Sequence, residues 1–191
     1  MENSRLYFIT GGVRSGKSSF AEKKAVELAI QSGGNLHYLA CGRSSDAEME
    51  ERINRHRQDR HRSPLAWRTS EYATDVTRIG KDLDAKSIVL LDCLTTLLDN
   101  ELFLPNVPLT EGFLHKVFTK IIKGIGEIRK EAQSLIIVSN EVVQEPIFQD
   151  EFLHTYGKVL GLLHQAIVER ADEAYLVESG VPLRMKAGIP E

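Results

Sequence analysis

Residues Gly11-Gly12-Val13-Arg14-Ser15-Gly16-Lys17-Ser18 stand between the apolar run Leu6-Tyr7-Phe8-Ile9 and a segment of helical spacing that begins at Ser19. A strand that turns through such a glycine-rich loop into a helix restricts a chain to few architectures. The glycines admit backbone conformations and close approaches that a Cβ would block. Successive N–H groups and the helix N-terminus then direct partial positive charge at one point, which suits a chain of phosphates. The spacing fits G-x-x-x-x-G-K-[ST], in which Lys17 reaches the outer phosphates of a triphosphate and the Ser18 hydroxyl ligates Mg2+. The alternative, a glycine-rich turn followed by a chance Lys-Ser pair, has to match the loop and both flanks at once.

A length of 191 residues suits one domain with a sizeable core, expected to span 1–191. The net charge is −3 and the basic residues form no long tail, so nothing asks for nucleic acid or an anionic membrane. A small-molecule partner is expected instead. The two cysteines, Cys41 and Cys93, fall at the ends of expected strands. With no signal-peptide pattern and no apolar run of roughly eighteen residues, a cytoplasmic, thiol-reduced protein without a membrane span is expected.

Ser19 to about Gln31 places Phe20, Ala21, Ala25, Leu28 and Ala29 at helical spacing, ended by Gly33-Gly34, and Leu36 to Cys41 reads as a second strand. Ser45-Asp46-Ala47-Glu48 is a capping-box pattern that starts a helix. Along it Met49, Ile53 and His56 share an apolar face, while Arg52, Arg55, Arg57 and Arg60 project to the sides. A histidine so placed is either a packed core residue or, among guanidinium groups, a neutral imidazole suited to attack a phosphate. His61 is the competing candidate. Trp67 reads as a core or subunit-interface aromatic, and Val76, Ile79 and Leu83 suggest a further helix.

Ser87 to Asp92 is a buried strand ending in a carboxylate, the Walker B pattern, in which Asp92 holds Mg2+ directly or through water. After a loop at Pro105–Pro108, a long amphipathic helix is expected from Thr110, with Gly124 and Gly126 weakening it locally. Ser134 to Ser139 delivers Asn140 and Glu141 to the carboxyl edge of another buried strand, where ligands gather in open α/β sheets. A last helix runs from Asp150 to Arg170, and short strands at Ala174–Val177 and Leu183–Met185 close the pattern. Strands alternating with helices predict an α/β fold, a mostly parallel sheet with helices on both faces.

Six segments now fall in one order: the loop at residues 11–18, Asp46 to Arg57, Trp67-Arg68-Thr69-Ser70-Glu71, Leu91-Asp92-Cys93-Leu94-Thr95-Thr96, Ser139-Asn140-Glu141-Val142 and Ala171 to Val177. Over nearly the whole chain they resemble the bifunctional adenosylcobinamide kinase and adenosylcobinamide-phosphate guanylyltransferase family of cobalamin biosynthesis. The resemblance implies a RecA-like P-loop NTPase fold, a homotrimer, and corrinoid and nucleotide substrates. It implies phosphorylation of adenosylcobinamide with ATP or GTP, then transfer of GMP from GTP through a GMP-histidine at the position of His56. With Lys17, His56 would be catalytic. Gly11, Gly12, Val13, Arg14, Ser15, Gly16, Lys17, Ser18, Arg57, Arg60, Glu71 and Asp92 would bind nucleotide, Ser18 and Asp92 would serve Mg2+, and Asn140 and Glu141 would line the substrate site.

The chain departs from the family pattern after Val142, where Val143-Gln144-Glu145-Pro146-Ile147-Phe148 replaces a Gly-x-Gly-Ile-Val-Pro segment, and again across Tyr156 to Gln165. A single-activity P-loop kinase of another small alcohol and a partner-regulated NTPase remain as other readings of the same loop.

Overall fold

A computed structural model describes residues 4–42, 54, 57, 58, 60–105, 107–141 and 151–188. Seven strands form one sheet in the order β3-β2-β4-β5-β1-β6-β7. They are β1 (Arg5–Gly11), β2 (Asn35–Ala40), β3 (Trp67–Glu71), β4 (Ser87–Asp92), β5 (Ser134–Asn140), β6 (Glu173–Glu178) and β7 (Val181–Lys186). All neighbours pair in parallel except β6 and β7, which form an antiparallel hairpin. Helices among the described residues include α1 (Lys17–Ser32), α2 (Leu94–Leu102), α3 (Glu111–Glu131) and α4 (Glu151–Arg170), with a 3-10 turn at Val76–Asp82 and further helical residues at 57, 58, 60 and 61. The expected mostly parallel sheet is therefore the observed one.

Both faces are covered, by unlike means. On one face Leu6, Phe8, Leu39, Val89, Leu91, Leu135 and Ile137 pack against the large aliphatic residues of α2, α3 and α4. On the other, Tyr7, Ile9, Tyr38, Leu90, Ile136 and Val138 meet the alanine row Ala21, Ala25 and Ala29 of α1. Alanine at i, i+4 and i+8 puts the smallest side chains on the buried stripe, so α1 lies close against the sheet. The connection from β1 crosses the α1 face toward β2, and that from β5 crosses the other face through α4 toward β6. The crossovers part between β1 and β5, the switch point at which such sheets open a crevice at their carboxyl edge.

Three differences from the sequence reading have local causes. Trp67–Glu71 is an edge strand, paired with β2 through Leu36↔Trp67 to Ala40↔Glu71, although its alternation is too polar to announce a strand. The segment Leu94–Leu102, which the sequence marks only by the motif residues Leu94-Thr95-Thr96, is a helix, and Val76–Asp82 is a 3-10 turn in place of an α-helix. Gly124 and Gly126 do not interrupt α3. A Cβ on Gly124 would lie 2.7 Å from Val76 Cγ2, so this glycine serves the close crossing of the 3-10 turn over the helix. Thr110 caps α3 by accepting from Phe113 N (3.3 Å).

Glu101 of α2 is 4% exposed and ties three elements together: it accepts from Asp75 N (2.9 Å) and from Lys120 Nζ (2.7 Å) on α3. Glu101→Ala strands the Asp75 N–H without an acceptor and is expected to lower stability by about 2–3 kcal/mol, read by chemical denaturation.

Behind the end of β5, Ser139 Oγ and His164 Nε2 lie 2.8 Å apart, with the imidazole edge-on to Phe8. Burial lowers the His164 pKa to about 4. As pH falls from the ordinary histidine range, the unfolded chain takes a proton that the folded chain refuses until about pH 4. Stability is therefore expected to fall across that window, and His164→Gln to flatten the fall in thermal melts taken against pH.

Candidate active site

The loop leaves β1 at Gly11, where a Cβ would collide with the Val177 carbonyl oxygen in β6. That contact is backbone, so no side-chain movement relieves it. Arg14 and Gly16 take positive φ, 59° and 91°, turning the chain sharply into α1. Ser15 N donates to Gly12 O (3.2 Å), and Gly180 N of the β6–β7 turn donates to Ser15 O (2.8 Å), so the hairpin walls the loop from outside. Lys17 is 3% exposed, and its Nζ donates to Gly12 O (3.0 Å). Ser18 is buried beside it, while Val13 is exposed.

Among the described residues no side chain caps the N-terminus of α1. Its first amides thus lack the usual side-chain acceptor and sit with a buried ammonium at one loop, an arrangement that suits an anion of several charges.

Register aligns the neighbouring strand ends with this loop. Gly11 pairs with Asn140, and Glu141 N donates to Gly11 O (3.1 Å), so Asn140 and Glu141 lie directly beside the start of the loop. Asn140 Nδ2 donates to Thr95 Oγ1 (2.9 Å), and Cys93 Sγ lies 3.0 Å from Thr95 Oγ1 and 3.1 Å from Thr96 Oγ1. Burial raises the Cys93 thiol pKa, which keeps this cluster neutral. Asp92 ends β4, two strands from β1, about 10 Å across the sheet.

Asp92 Oδ2 accepts from Tyr38 Oη (2.9 Å). Burial first, and then the neighbouring Asp92 carboxylate, hold the Tyr38 phenol well above its ordinary range, so it remains a donor. The other face of this tyrosine belongs to a second region. Arg60 Cζ stands 3.6 Å from the ring centroid, Arg60 Nη1 lies 3.6 Å from Glu22 Oε1 on α1, and Trp67 meets Tyr38 edge-on at 6.3 Å. Arg57 Nη2 donates to Glu71 Oε1 (2.9 Å) at the surface. Arg57, Arg60, His61, Trp67 and Thr69 line a cavity of about 350 Å3, within the range of small-molecule sites.

The structure thus brings Gly11, Gly12, Ser15, Gly16, Lys17, Ser18, Asn140 and Glu141 to one corner of the sheet edge, with Asp92 further along it. Arg57, Arg60 and Glu71 gather in the neighbouring region, joined to that edge by Tyr38. His56 lies outside the described residues, as do the segment 43–53 expected to begin its helix and the segment 143–148 that departs from the family pattern. Thr95 and Val177 stand inside two of the family segments, but the sequence assigns no role to either, nor to Tyr38 or Gly180. Only Tyr38 left a signal: a phenol in a buried strand whose hydroxyl needs a partner.

The fold and this corner define a nucleotide-binding P-loop domain of the α/β class. A solved ATPase domain shares the fold, with a TM-score of 0.50 at 16% identity, covering 90% of this chain and 68% of that one. The family described as cobinamide kinase / cobinamide phosphate guanyltransferase matches residues 7–185, and the chain belongs to it. It is 33% identical over 179 residues to the bifunctional adenosylcobalamin biosynthesis protein CobP of Pseudomonas aeruginosa, covering 93% of this chain and 95% of that protein. It is 30% identical over 190 residues to the bifunctional adenosylcobalamin biosynthesis protein CobU of Salmonella typhimurium, covering 95% and 99%.

Lys17→Ala removes the buried ammonium at the loop and is expected to weaken triphosphate binding by about 10- to 100-fold in titration calorimetry. Unchanged affinity would remove the loop from the site.

Proposed function

We propose that this chain carries out both reactions of its family at one loop: it phosphorylates the hydroxyl of adenosylcobinamide's aminopropanol arm with ATP or GTP, then transfers GMP from GTP to that phosphate. The observation that carries this is the buried Lys17 beside the uncapped N-terminus of α1, with a cationic, aromatic cavity joined to the same sheet edge.

In the first step the substrate hydroxyl attacks the γ-phosphorus and gives up its proton to water, the bond to the β–γ bridging oxygen breaks, and the nucleoside diphosphate leaves. Lys17 and the loop amides stabilise charge on the transferring group, which needs positioning and electrostatics more than covalent help. In the second step an imidazole nitrogen attacks the α-phosphorus of GTP and pyrophosphate leaves. The phosphate oxygen of the first product then attacks that phosphorus, the P–N bond breaks, and the histidine returns to its neutral form. His56 is assigned as that nucleophile on the family position, supported by the arginines at 57 and 60 that follow it in sequence. Glu71 would contact the guanine nucleotide, and Asn140 and Glu141 would line the acceptor site.

The donor set suits Mg2+: Ser18 and Asp92 offer hard oxygens, and no cluster of three His, Cys, Asp or Glu among the described residues forms a metal cage of its own. Ser18 and Asp92 would hold the Mg2+ of a bound nucleotide, which would supply charge neutralisation at the leaving group. A homotrimer belongs to the same proposal, supported by the apolar row Val181, Leu183 and Met185 exposed on the edge strand β7, and is tested by sedimentation. No helix among the described residues is long and apolar enough to cross a membrane.

Incubation with α-labelled GTP is expected to leave an acid-labile, alkali-stable label that His56→Ala abolishes. A label that persists in that variant moves the nucleophile, first to His61, which is exposed and lines the cavity. Phosphorylation of the corrinoid with no adduct at all would leave only the kinase.

A further inference from the structure

Tyr38 lies within β2, and no motif in the sequence marks it. Side chains from four other parts of the fold nevertheless converge on it or on its partner. The carboxylate of Asp92 at the end of β4 accepts its hydroxyl proton at 2.9 Å. The guanidinium of Arg60, from the helical residues Arg57, Gln58, Arg60 and His61, lies 3.6 Å over its ring. Trp67 of β3 packs edge-on to the same ring, and Glu22 of α1 stands 3.6 Å from the guanidinium.

The details separate two jobs. The Arg60 side chain is 6% exposed, yet its contact with Glu22 is longer than a hydrogen bond, and Arg60 Nη1 makes no hydrogen bond among the described residues. The aromatic face, at the same 3.6 Å, therefore shares with the Glu22 carboxylate the support of this buried cation. The hydroxyl does something else. A buried phenol is satisfied by any acceptor, including a backbone carbonyl; here it takes Oδ2 of the carboxylate at the nucleotide edge. That bond ties Asp92 Oδ2 at the end of β4 to the tyrosine of β2.

We propose that Tyr38 is a positioning residue with two faces: its ring seats Arg60, and its hydroxyl aims Asp92. One side chain then sets both the docking of the arginine-bearing helical residues and the orientation of the carboxylate. This rests on the reading above that Asp92 serves the Mg2+ of bound nucleotide. It also gives Arg60 a seat in the protein, so that a phosphate reaching it would meet a guanidinium already fixed in place.

The two faces can be removed separately. Tyr38→Phe keeps the ring and deletes the hydroxyl; Tyr38→Leu deletes both. The protein's single tryptophan, Trp67, reports on the stack by its emission. The decisive measurement is a Mg2+ titration of the thermal stabilisation given by a fixed concentration of a non-hydrolysable GTP analogue, with emission recorded in parallel.

Tyr38→Phe is expected to keep the wild-type emission and the metal-free nucleotide stabilisation, to lower the ligand-free melting temperature by no more than the loss of one hydrogen bond, and to raise the Mg2+ midpoint about 10-fold, the scale of one hydrogen bond to a charged group. Tyr38→Leu is expected to raise the midpoint similarly and also to shift Trp67 emission. If Tyr38→Leu fails to fold, Arg60→Met tests the ring's role and should shift the emission on its own. A wild-type Mg2+ midpoint in Tyr38→Phe overturns the aiming of Asp92, and unshifted emission in Tyr38→Leu or Arg60→Met overturns the seating of Arg60. Wild-type protein that gains no Mg2+-dependent stabilisation from the nucleotide overturns the underlying reading of Asp92, an outcome distinct from either.

Discussion

Among the described residues no side chain caps the first amides of α1, and the helix dipole adds positive potential at that same end. Much of the fold holds this end in place. β1 lies inside the sheet, between β5 and β6, so the strand feeding the loop is braced on both sides. The alanine row of α1 brings the helix close to that sheet, and the β6–β7 hairpin closes the loop from outside through Val177 and Gly180. A glycine at 11 is required by that wall as much as by any ligand, because a Cβ there meets a backbone carbonyl.

The two faces of the sheet divide the work. The face under α2, α3 and α4 is aliphatic, and its buried carboxylate Glu101 is satisfied by an amide and an ammonium. This face supplies the bulk of apolar burial, at roughly 2 kcal/mol for each fully buried leucine or isoleucine. The α1 face carries a polar chain in addition: Glu22, Arg60, Tyr38 and Asp92 run from the helix, across a tyrosine ring, to the carboxyl edge. Such a chain is costly to bury unless its members are paired, which fixes their geometry more tightly than apolar packing would. Through it the cationic cavity at Arg57, His61 and Trp67 is mechanically tied to the nucleotide edge. An enzyme that handles the outer phosphates of a nucleotide in one step and the innermost in the next has use for two regions held in fixed relation.

The loop at residues 11–18, the strands ending at Asp92 and Asn140, and the helix from Thr110 were legible because each rests on local pattern: turn chemistry, apolar runs and 3.6-residue spacing. The strand at Trp67–Glu71 was not, because an edge strand with polar alternation owes its existence to β2 beside it. Gly124 read as a weak point in a helix, and only the crossing of Val76 shows it to be a point of contact. The glutamate at 71 and the arginines at 57 and 60 could be proposed from the family pattern, but not that Glu71 meets Arg57 or that Arg60 rests on a tyrosine.

By itself, then, the sequence determined the class of fold, the phosphate loop and the family, since these depend on residues close together along the chain and on motifs of fixed spacing. Only the tertiary structure decided that Val177 and Gly180 wall the loop and that Thr95 orders Asn140. It alone joined Tyr38 to Asp92 and to Arg60. Those contacts link residues far apart along the chain, and most of them exist because the strand order β2-β4-β5-β1-β6 sets the carboxyl ends side by side.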